Sequence, residues 1–201
     1  MRVTRQKAEE NRQTVIDVAS RLFREHGYDG IGLKDLMAGA GLTQGAFYKQ
    51  FASKDDLAVQ ASRRALESGL SQWSAAAASN PQNPLSAVID FYLSMDHRAE
   101  TMDGCPVVAL GSDAARQGPD VKASFEAGIE QYLEMVGGWV GKAEGNEPDS
   151  KAMALLSTMV GALLISRVVN DEQMAKEFLQ AAAESVLSQS PAGEVQPGRR
   201  R

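Results

Sequence analysis

The sequence is poor in the residues that build disulfides, metal sites and catalytic centres. Its 201 residues include one cysteine, Cys105, and two histidines. A single cysteine excludes an intrachain disulfide and a cysteine-based metal site, and it fits a reducing cytoplasm. The sequence contains no His-Glu-x-x-His, no Gly-x-Ser-x-Gly and no phosphate-binding glycine loop. We therefore predict a protein that is not an enzyme and holds neither a metal ion nor a cofactor.

Signals for strands, secretion and membrane insertion are also scarce. No run of alternating β-branched residues and no Asn-Gly hairpin occurs, and the N-terminal residues lack the apolar core of a signal peptide. Residues 152–169 are the most apolar stretch, but the Ser, Thr and Arg167 within it favour a buried helix over a membrane span. These observations predict an all-α protein of the cytoplasm with no membrane partner.

The charge is distributed unevenly along the chain. The net charge is −5. Residues 1–55 carry nine Lys/Arg and seven Asp/Glu, a net of +2, whereas residues 56–201 have a net of −7. An acidic body with a mildly basic head can bind a phosphate backbone through the head. A difference this small can also arise by chance, so charge alone leaves both interpretations open.

Apolar residues recur with helical spacing throughout the chain. Glycines at positions 27 and 41, the pair Ser53 and Asp56, and Pro119 stand where helices are expected to begin or end. The pattern predicts about nine helices, over residues 7–26, 33–40, 44–51, 54–78, 85–98, 106–116, 119–142, 150–169 and 171–189. Residues 190–201 are predicted to be a disordered tail.

The stretch GLTQGAFYKQF, residues 41–51, has the pattern of a helix-turn-helix. Gly41 ends one helix, and Thr43 is expected to cap the next. Four apolar residues would hold the two helices together: Leu36, Leu42, Phe47 and Phe51. The outer face would then carry Gln44, Gly45, Ala46, Tyr48 and Lys49. In a helix-turn-helix this end enters the major groove, where Gln pairs with adenine while Lys and Tyr reach phosphates. An ordinary helical hairpin with a tolerated glycine is the alternative.

Residues 22–57, LFREHGYDGIGLKDLMAGAGLTQGAFYKQFASKDDL, resemble the DNA-binding head of the TetR family of one-component bacterial repressors. The shared features are Phe-x-x-x-Gly-Tyr, Ala-Gly-Leu, Thr-x-Gly, an aromatic-Tyr pair, Phe, and Ser-Lys-x-x-Leu. The resemblance implies that the positions reading bases and backbone are Thr43, Gln44, Gly45 and Ala46. It implies phosphate contacts from Tyr48, Lys49 and Lys54, and the family often has Arg or Lys at the position of Lys34. The sequence departs at Ile31 and Gly32, where the family commonly has a capping Thr or Ser.

The same resemblance implies a division into a DNA-binding domain, residues 1–53, and a ligand-binding and dimerisation domain, residues 54–189. Helices four to seven would enclose a pocket, and helices eight and nine would form a dimer interface, where Gly161 and Ala162 allow close approach. The candidate pocket residues are apolar or aromatic: Trp73, Phe91, Tyr92, Met95, Cys105, Val108, Phe125, Ile129, Tyr132, Met135, Trp139 and Met159. Each of them, taken singly, is also compatible with plain core packing.

The prediction is therefore a ligand-responsive transcriptional regulator. We expect a repressor that binds a palindromic double-stranded DNA operator as a homodimer and is released by a small apolar or aromatic effector. One alternative is a helical protein that binds a ligand or partner without sequence-specific DNA binding. Another is a redox or electrophile sensor that acts through Cys105, because a helix N-terminus favours the thiolate form.

Overall fold

The fold was analysed in a computed structural model, which describes residues 5–140 and 150–188. Within those ranges the chain is helical and contains no strand, so the all-α prediction is confirmed. The helices are α1 (Arg5–His26), α2 (Leu33–Gly39), a 3-10 helix (Gln44–Lys49), α3 (Lys54–Ser79), α4 (Pro84–Tyr92), α5 (Met95–Ala99), α6 (Pro106–Ala114), α7 (Pro119–Val140), α8 (Ser150–Val168) and α9 (Glu172–Ser188). The predicted tail, residues 190–201, lies outside the described residues, as does the predicted end of the seventh helix.

Several helix boundaries lie where local sequence signals placed them. Gly27 and Gly41 have φ angles of 76° and 69°, in the left-handed region that only glycine adopts without strain. Ser53 Oγ accepts a hydrogen bond from the Asp56 N–H at 3.0 Å. The Asp56 carboxylate accepts one from the Ala52 N–H at 3.0 Å, one residue earlier than in the usual capping box.

Two helices differ from the prediction. The expected helix over residues 85–98 is broken into α4 and α5, because the Ser94 hydroxyl accepts from the His97 N–H at 3.0 Å and so caps a new helix. His97 also donates from Nδ1 to the Tyr92 carbonyl at 2.7 Å. The third helix is a 3-10 helix. Its first turn lacks the expected cap, since the Thr43 side chain makes no capping hydrogen bond.

The first of two compact units combines the residues up to Gln72 with Glu100–Ile129. In it α1 packs on α2 and α6, and α2 packs on the 3-10 helix. The core of this unit is apolar, and its fully buried members include Val15, Ala19, Phe23, Leu36, Met37 and Phe47. Polar contacts also join distant parts of the unit: Arg24 donates to the Gly104 carbonyl at 3.0 Å, and Tyr28 and Ser62 share a hydrogen bond of 2.6 Å.

The second unit combines Trp73–Ala99 with the residues from Glu130 onward. Here α8 packs along α9, and α4 packs on both. Arg98 donates to the carbonyls of Ser166 and Val169 near the end of α8, at 2.7 and 3.2 Å. In return Arg167 donates to the carbonyls of Arg98 and His97, at 3.0 and 2.9 Å. Each arginine therefore satisfies carbonyls that the end of the other's helix leaves unpaired.

Within the protomer helix α8 is buried on one side and exposes apolar side chains on the other. By length and composition alone it is apolar enough to cross a membrane, and 28% of its most apolar stretch is buried. A core helix of a soluble protein passes the same test, so this is weak evidence for a membrane span. The exposed large apolar residues of α8 and α9 are Met153, Leu164, Ile165, Val168, Met174 and Phe178.

Candidate nucleic-acid interface

The 3-10 helix presents most of the predicted DNA-reading residues to solvent. Thr43, Gln44, Gly45, Tyr48 and Lys49 are exposed, and Ala46 is half-buried. Because a 3-10 helix has three residues per turn, Gly45 and Tyr48 share one edge, and Ala46 and Lys49 share another. Tyr48 is 68% exposed, which is unusual for a large aromatic side chain that serves only packing.

Two buried phenylalanines support this exposed face from behind. Phe47 is fully buried and Phe51 nearly so, and their rings stack with centroids 5.3 Å apart. The Tyr48 ring meets the Phe47 ring edge to face, also at 5.3 Å. The predicted anchors Leu36, Phe47 and Phe51 are thus buried, whereas Leu42 is only half-buried. The anchoring fixes one side of the segment and leaves the other side free for a ligand.

The surroundings of the 3-10 helix supply cations and helix N-termini. Lys34 and Lys49 are exposed, and Lys54 is half-buried at the first position of α3. Neither Lys34 nor Lys49 forms an ion pair with a described residue. Gly32 caps α2 without a side-chain hydrogen bond, as the sequence led us to expect. Such free cations and unsatisfied backbone N–H groups are suited to binding phosphate.

Two polar residues that sequence reasoning missed, Arg12 and Gln60, lie behind the same segment and hold the capping residue Asp56. Arg12 of α1 donates to the Gln60 side chain at 2.5 Å, and Gln60 donates to the Asp56 carboxylate at 2.8 Å. The Arg12 guanidinium also lies over the Phe51 ring, 5.3 Å from its centroid. Arg12 and Gln60 are 48 positions apart, so no local sequence signal connects them.

The candidate pocket residues fall in both compact units. Cys105, Val108, Phe125 and Ile129 belong to the first, and the remainder belong to the second. In the second unit Trp73 meets Tyr92 at 5.3 Å and Tyr132 at 4.7 Å between ring centroids, edge to face in both cases. Met159 is fully buried, whereas Phe91, Met95, Met135 and Trp139 are half-buried. Met95 also lines a cavity of about 230 Å³ beside α4 and α9.

Cys105 occupies the N-cap position of α6, directly before Pro106, and makes no capping hydrogen bond through its side chain. It is buried, in a loop whose Gly104 carbonyl accepts from Arg24. Across residues 5–140 and 150–188, no group of three or more His, Cys, Asp or Glu side chains is arranged to hold a metal ion.

Comparison with known proteins identifies the family. The sequence profile described as "Bacterial regulatory proteins, tetR family" matches residues 15–61, which include α2, the 3-10 helix and the start of α3. Over residues 15–61 this chain carries a DNA-binding head of the TetR family of bacterial transcriptional regulators. It is accordingly a DNA-binding regulator of transcription, as its sequence led us to expect.

Relatives named as transcriptional regulators match this chain, one over most of its length and one over the head. The HTH-type transcriptional repressor DhaR of Mycobacterium sp. strain GP1 is 24% identical over 194 residues, covering 88% of this chain and 92% of DhaR. The regulator AcrR of Shigella flexneri is 45% identical over 56 residues, which are 28% of this chain and only 26% of AcrR. That second match therefore concerns the head alone.

Solved structures share the whole fold. A TetR transcriptional regulator from Chloroflexus aurantiacus J-10-FL has a TM-score of 0.76 and 24% identity, covering 92% of this chain and 98% of that one. The reduced form of Escherichia coli NemR has a TM-score of 0.73 and 20% identity, covering 88% and 95% of the two chains. At these identities the likeness establishes the fold.

Proposed function

We propose that the protein is a cytoplasmic, homodimeric repressor that binds a palindromic operator and is released by a small apolar or aromatic effector. The observation that carries the proposal is the exposed face of the 3-10 helix, with Tyr48 and Lys49 turned to solvent and Phe47 buried behind them. The reading head would comprise residues 1–53 and the body residues 54–189. DhaR and NemR are both named as repressors, which supports repression over activation.

The DNA contacts of the head fall into two groups, one at base edges and the DNA backbone and one at phosphates. Thr43, Gln44, Gly45 and Ala46 would approach base edges and the DNA backbone, and phosphates would be bound by Lys34, Tyr48, Lys49 and Lys54. Phosphate contacts add affinity for any sequence, whereas base contacts set the preferred sequence. The two groups are therefore separable by substitution.

Mobility-shift titrations on operator and random DNA test this division. Tyr48→Phe and Lys49→Ala should weaken binding to both duplexes by similar factors, and Lys49→Ala should also reduce the salt dependence. Gln44→Ala should instead change the preference at one base pair by about 1–3 kcal/mol. If Lys49→Ala changes neither affinity nor salt dependence, the phosphate assignment is wrong.

The proposal of a homodimer rests on the exposed apolar residues of α8 and α9. Met153, Leu164 and Val168 are exposed on α8, and Met174 and Phe178 on α9. Soluble monomers seldom expose a large apolar surface, and exposed apolar side chains concentrated on two packed helices favour an interface. A second copy would cover it by two-fold symmetry and place two recognition helices about 34–36 Å apart for adjacent major grooves. Light scattering that shows a stable monomer at micromolar concentration would contradict the proposal.

The effector site is proposed among the aromatic residues of the body. Trp73, Tyr92 and Tyr132 present contacting rings, and half-buried Phe91 and Trp139 supply further apolar surface. Aromatic and Met side chains suit an apolar ligand of adaptable shape. Shifting a two-state protein from 1:99 to 99:1 takes about 5.5 kcal/mol of differential binding. Burial of apolar area at roughly 25 cal/mol per Å² provides that difference only if the DNA-bound state closes the pocket.

Effector and operator must then oppose each other reciprocally. Tryptophan fluorescence should follow titration with a panel of aromatic compounds, because Trp73 and Trp139 both belong to the body. A compound that binds should do so more weakly when operator DNA is present. Equal affinities with and without DNA would mean that the site is not coupled to the head.

A thiol signal through Cys105 is the second candidate. Its position at the N-cap of α6 favours a thiolate, and the structural relative NemR is described as a reduced form. Burial of the Cys105 side chain opposes attack by oxidants and favours the apolar effector. If operator release by an oxidant survives Cys105→Ser, thiol chemistry at this residue is excluded as the signal.

A further inference from the structure

The turn after the 3-10 helix is fixed by one carboxylate. The Asp56 carboxylate accepts a hydrogen bond from the Ala52 N–H at 3.0 Å. The Asp56 N–H in turn donates to Ser53 Oγ at 3.0 Å. Ala52 and Ser53 are the two residues that separate Phe51 from α3. The Asp56 side chain therefore sets the angle between the 3-10 helix and α3, which follows it.

That carboxylate is itself held from α1. Gln60 donates to Asp56 Oδ1 at 2.8 Å and accepts from Arg12 at 2.5 Å on its amide oxygen, so both ends of the amide are used. The guanidinium of Arg12 lies 5.3 Å from the centre of the Phe51 ring. Arg12 thus contacts the buried anchor Phe51 directly. It also reaches the turn through the side chains of Gln60 and Asp56.

The 3-10 helix that reads DNA, residues 44–49, gains from this support because hydrogen bonds in a 3-10 helix have poor geometry. Its first residue has no side-chain cap, and a 3-10 helix of six residues is a poorly bonded element. At its start the Ala46 N–H donates to the Thr43 carbonyl at 2.9 Å, and at its end Gln50 and Phe51 both donate to the Phe47 carbonyl at 2.8 and 3.0 Å. A small rotation at this end would displace the residues that face the bases.

We propose that Arg12 is a positioning residue for sequence reading, acting through Gln60 and Asp56 on the turn and through Phe51 on the helix. The inference rests on the proposed function, since it concerns how the head reads its operator. A planar guanidinium stacks on a ring and donates a directed hydrogen bond at the same time, and an ammonium group does not reproduce this geometry. Lysine at this position would keep the charge and lose the function.

The test compares variants on two duplexes, one that the wild-type protein selects from a random pool and one of random sequence. Arg12→Met, Arg12→Lys and Gln60→Met should each reduce the preference for the selected duplex by roughly three- to tenfold, as expected for losing about one hydrogen bond. The double variant Arg12→Met/Gln60→Met should lose little more than Arg12→Met alone, because Gln60 acts on the same path as Arg12. Affinity for random DNA should stay unchanged.

Arg64→Met is the matched control. Arg64 pairs with Asp17 at 2.5 Å and likewise joins α3 to α1, but none of its hydrogen bonds leads to the turn. This variant should retain the wild-type preference. An equal loss in Arg64→Met would overturn the proposal, because any loosening of α1 from α3 would then suffice.

Two other results would also overturn it. If Arg12→Met weakens binding to both duplexes and lowers the salt slope by about one, Arg12 contacts phosphate directly. If Arg12→Lys binds as the wild type does, the charge matters and the geometry does not.

Amide hydrogen exchange of the DNA-free protein gives a readout independent of the operator. Exchange at the Ala52 N–H should be faster in Arg12→Met and Gln60→Met than in the wild type, and unchanged in Arg64→Met. Unchanged exchange in the first two variants would refute the path. If the wild type selects no sequence at all, the proposed function fails together with the reading role, while exchange still decides whether Arg12 holds the turn.

Discussion

Gly45→Ala should raise the stability of the free protein and weaken its binding to DNA. A Cβ built on Gly45 meets no heavy atom within 4 Å, and the residue does not have a positive φ. The added methyl group therefore causes no clash or strain in the free protein. Since glycine destabilises a helix by roughly 0.5–1 kcal/mol relative to alanine, the variant should be slightly more stable than the wild type.

DNA binding should change in the opposite direction. If the backbone at Gly45 approaches DNA closely, the methyl group fills space that the DNA needs, at a cost of about 1–3 kcal/mol, by analogy with overpacking a close-packed core. Thermal melting and mobility shifts on operator DNA measure the two effects on one sample. A more stable variant with undiminished affinity would refute the close approach.

Gly138→Ala provides the control for that experiment. Gly138 is exposed on α7, and its built Cβ also meets nothing within 4 Å. This substitution should stabilise the protein to a similar degree and leave operator affinity unchanged. A loss of affinity in both variants would mean that added helix stability alone impairs binding.

Three further predictions concern assembly, packing and pH. A Cβ built on Gly161 meets no heavy atom within 4 Å in the protomer, so Gly161→Leu should fold, but light scattering should show that the dimer dissociates. An unchanged mass would contradict the close helix approach. Arg167→Met loses the hydrogen bonds to the Arg98 and His97 carbonyls and should lower the free energy of unfolding by about 1.5–3 kcal/mol in denaturant titrations, whereas an unchanged midpoint would argue against the contact. Burial raises the pKa of Tyr28 from 10.0 to about 12, so stability should fall between pH 10 and 12, where only the unfolded chain ionises. Tyr28→Phe should lack that fall, and an equal fall in both proteins would disprove the assignment.

Helix ends and caps that depend only on residues adjacent in the chain could be predicted from the sequence. Gly27 and Gly41 end their helices because few other residues adopt a positive φ at low cost, and Ser53 with Asp56 marks the start of α3 for a similarly local reason. The exposed face of residues 44–49 could be predicted because the small and polar residues there surround one apolar anchor, Phe47.

Features decided by tertiary contacts could not be predicted. The break before α5 depends on the Ser94 cap and on the approach of His97 to the Tyr92 carbonyl, and apolar spacing continues across it without interruption. The path from Arg12 to Gln60 joins residues far apart in the chain. The exposed side of α8 has the same apolar composition as its buried side, so composition alone does not identify which residues of this helix pack within the protomer.

Selection of duplexes from a random pool by the full-length protein tests the central claim most directly. The account predicts an enriched sequence of two inverted half-sites with centres about 10–10.5 base pairs, or a multiple of that, apart. It also predicts that Gln44→Ala enriches a sequence that differs at one symmetric position in each half-site. No enrichment over random DNA, or a single half-site bound by a monomer, would contradict the assignment of the 3-10 helix as the reading element of a homodimer.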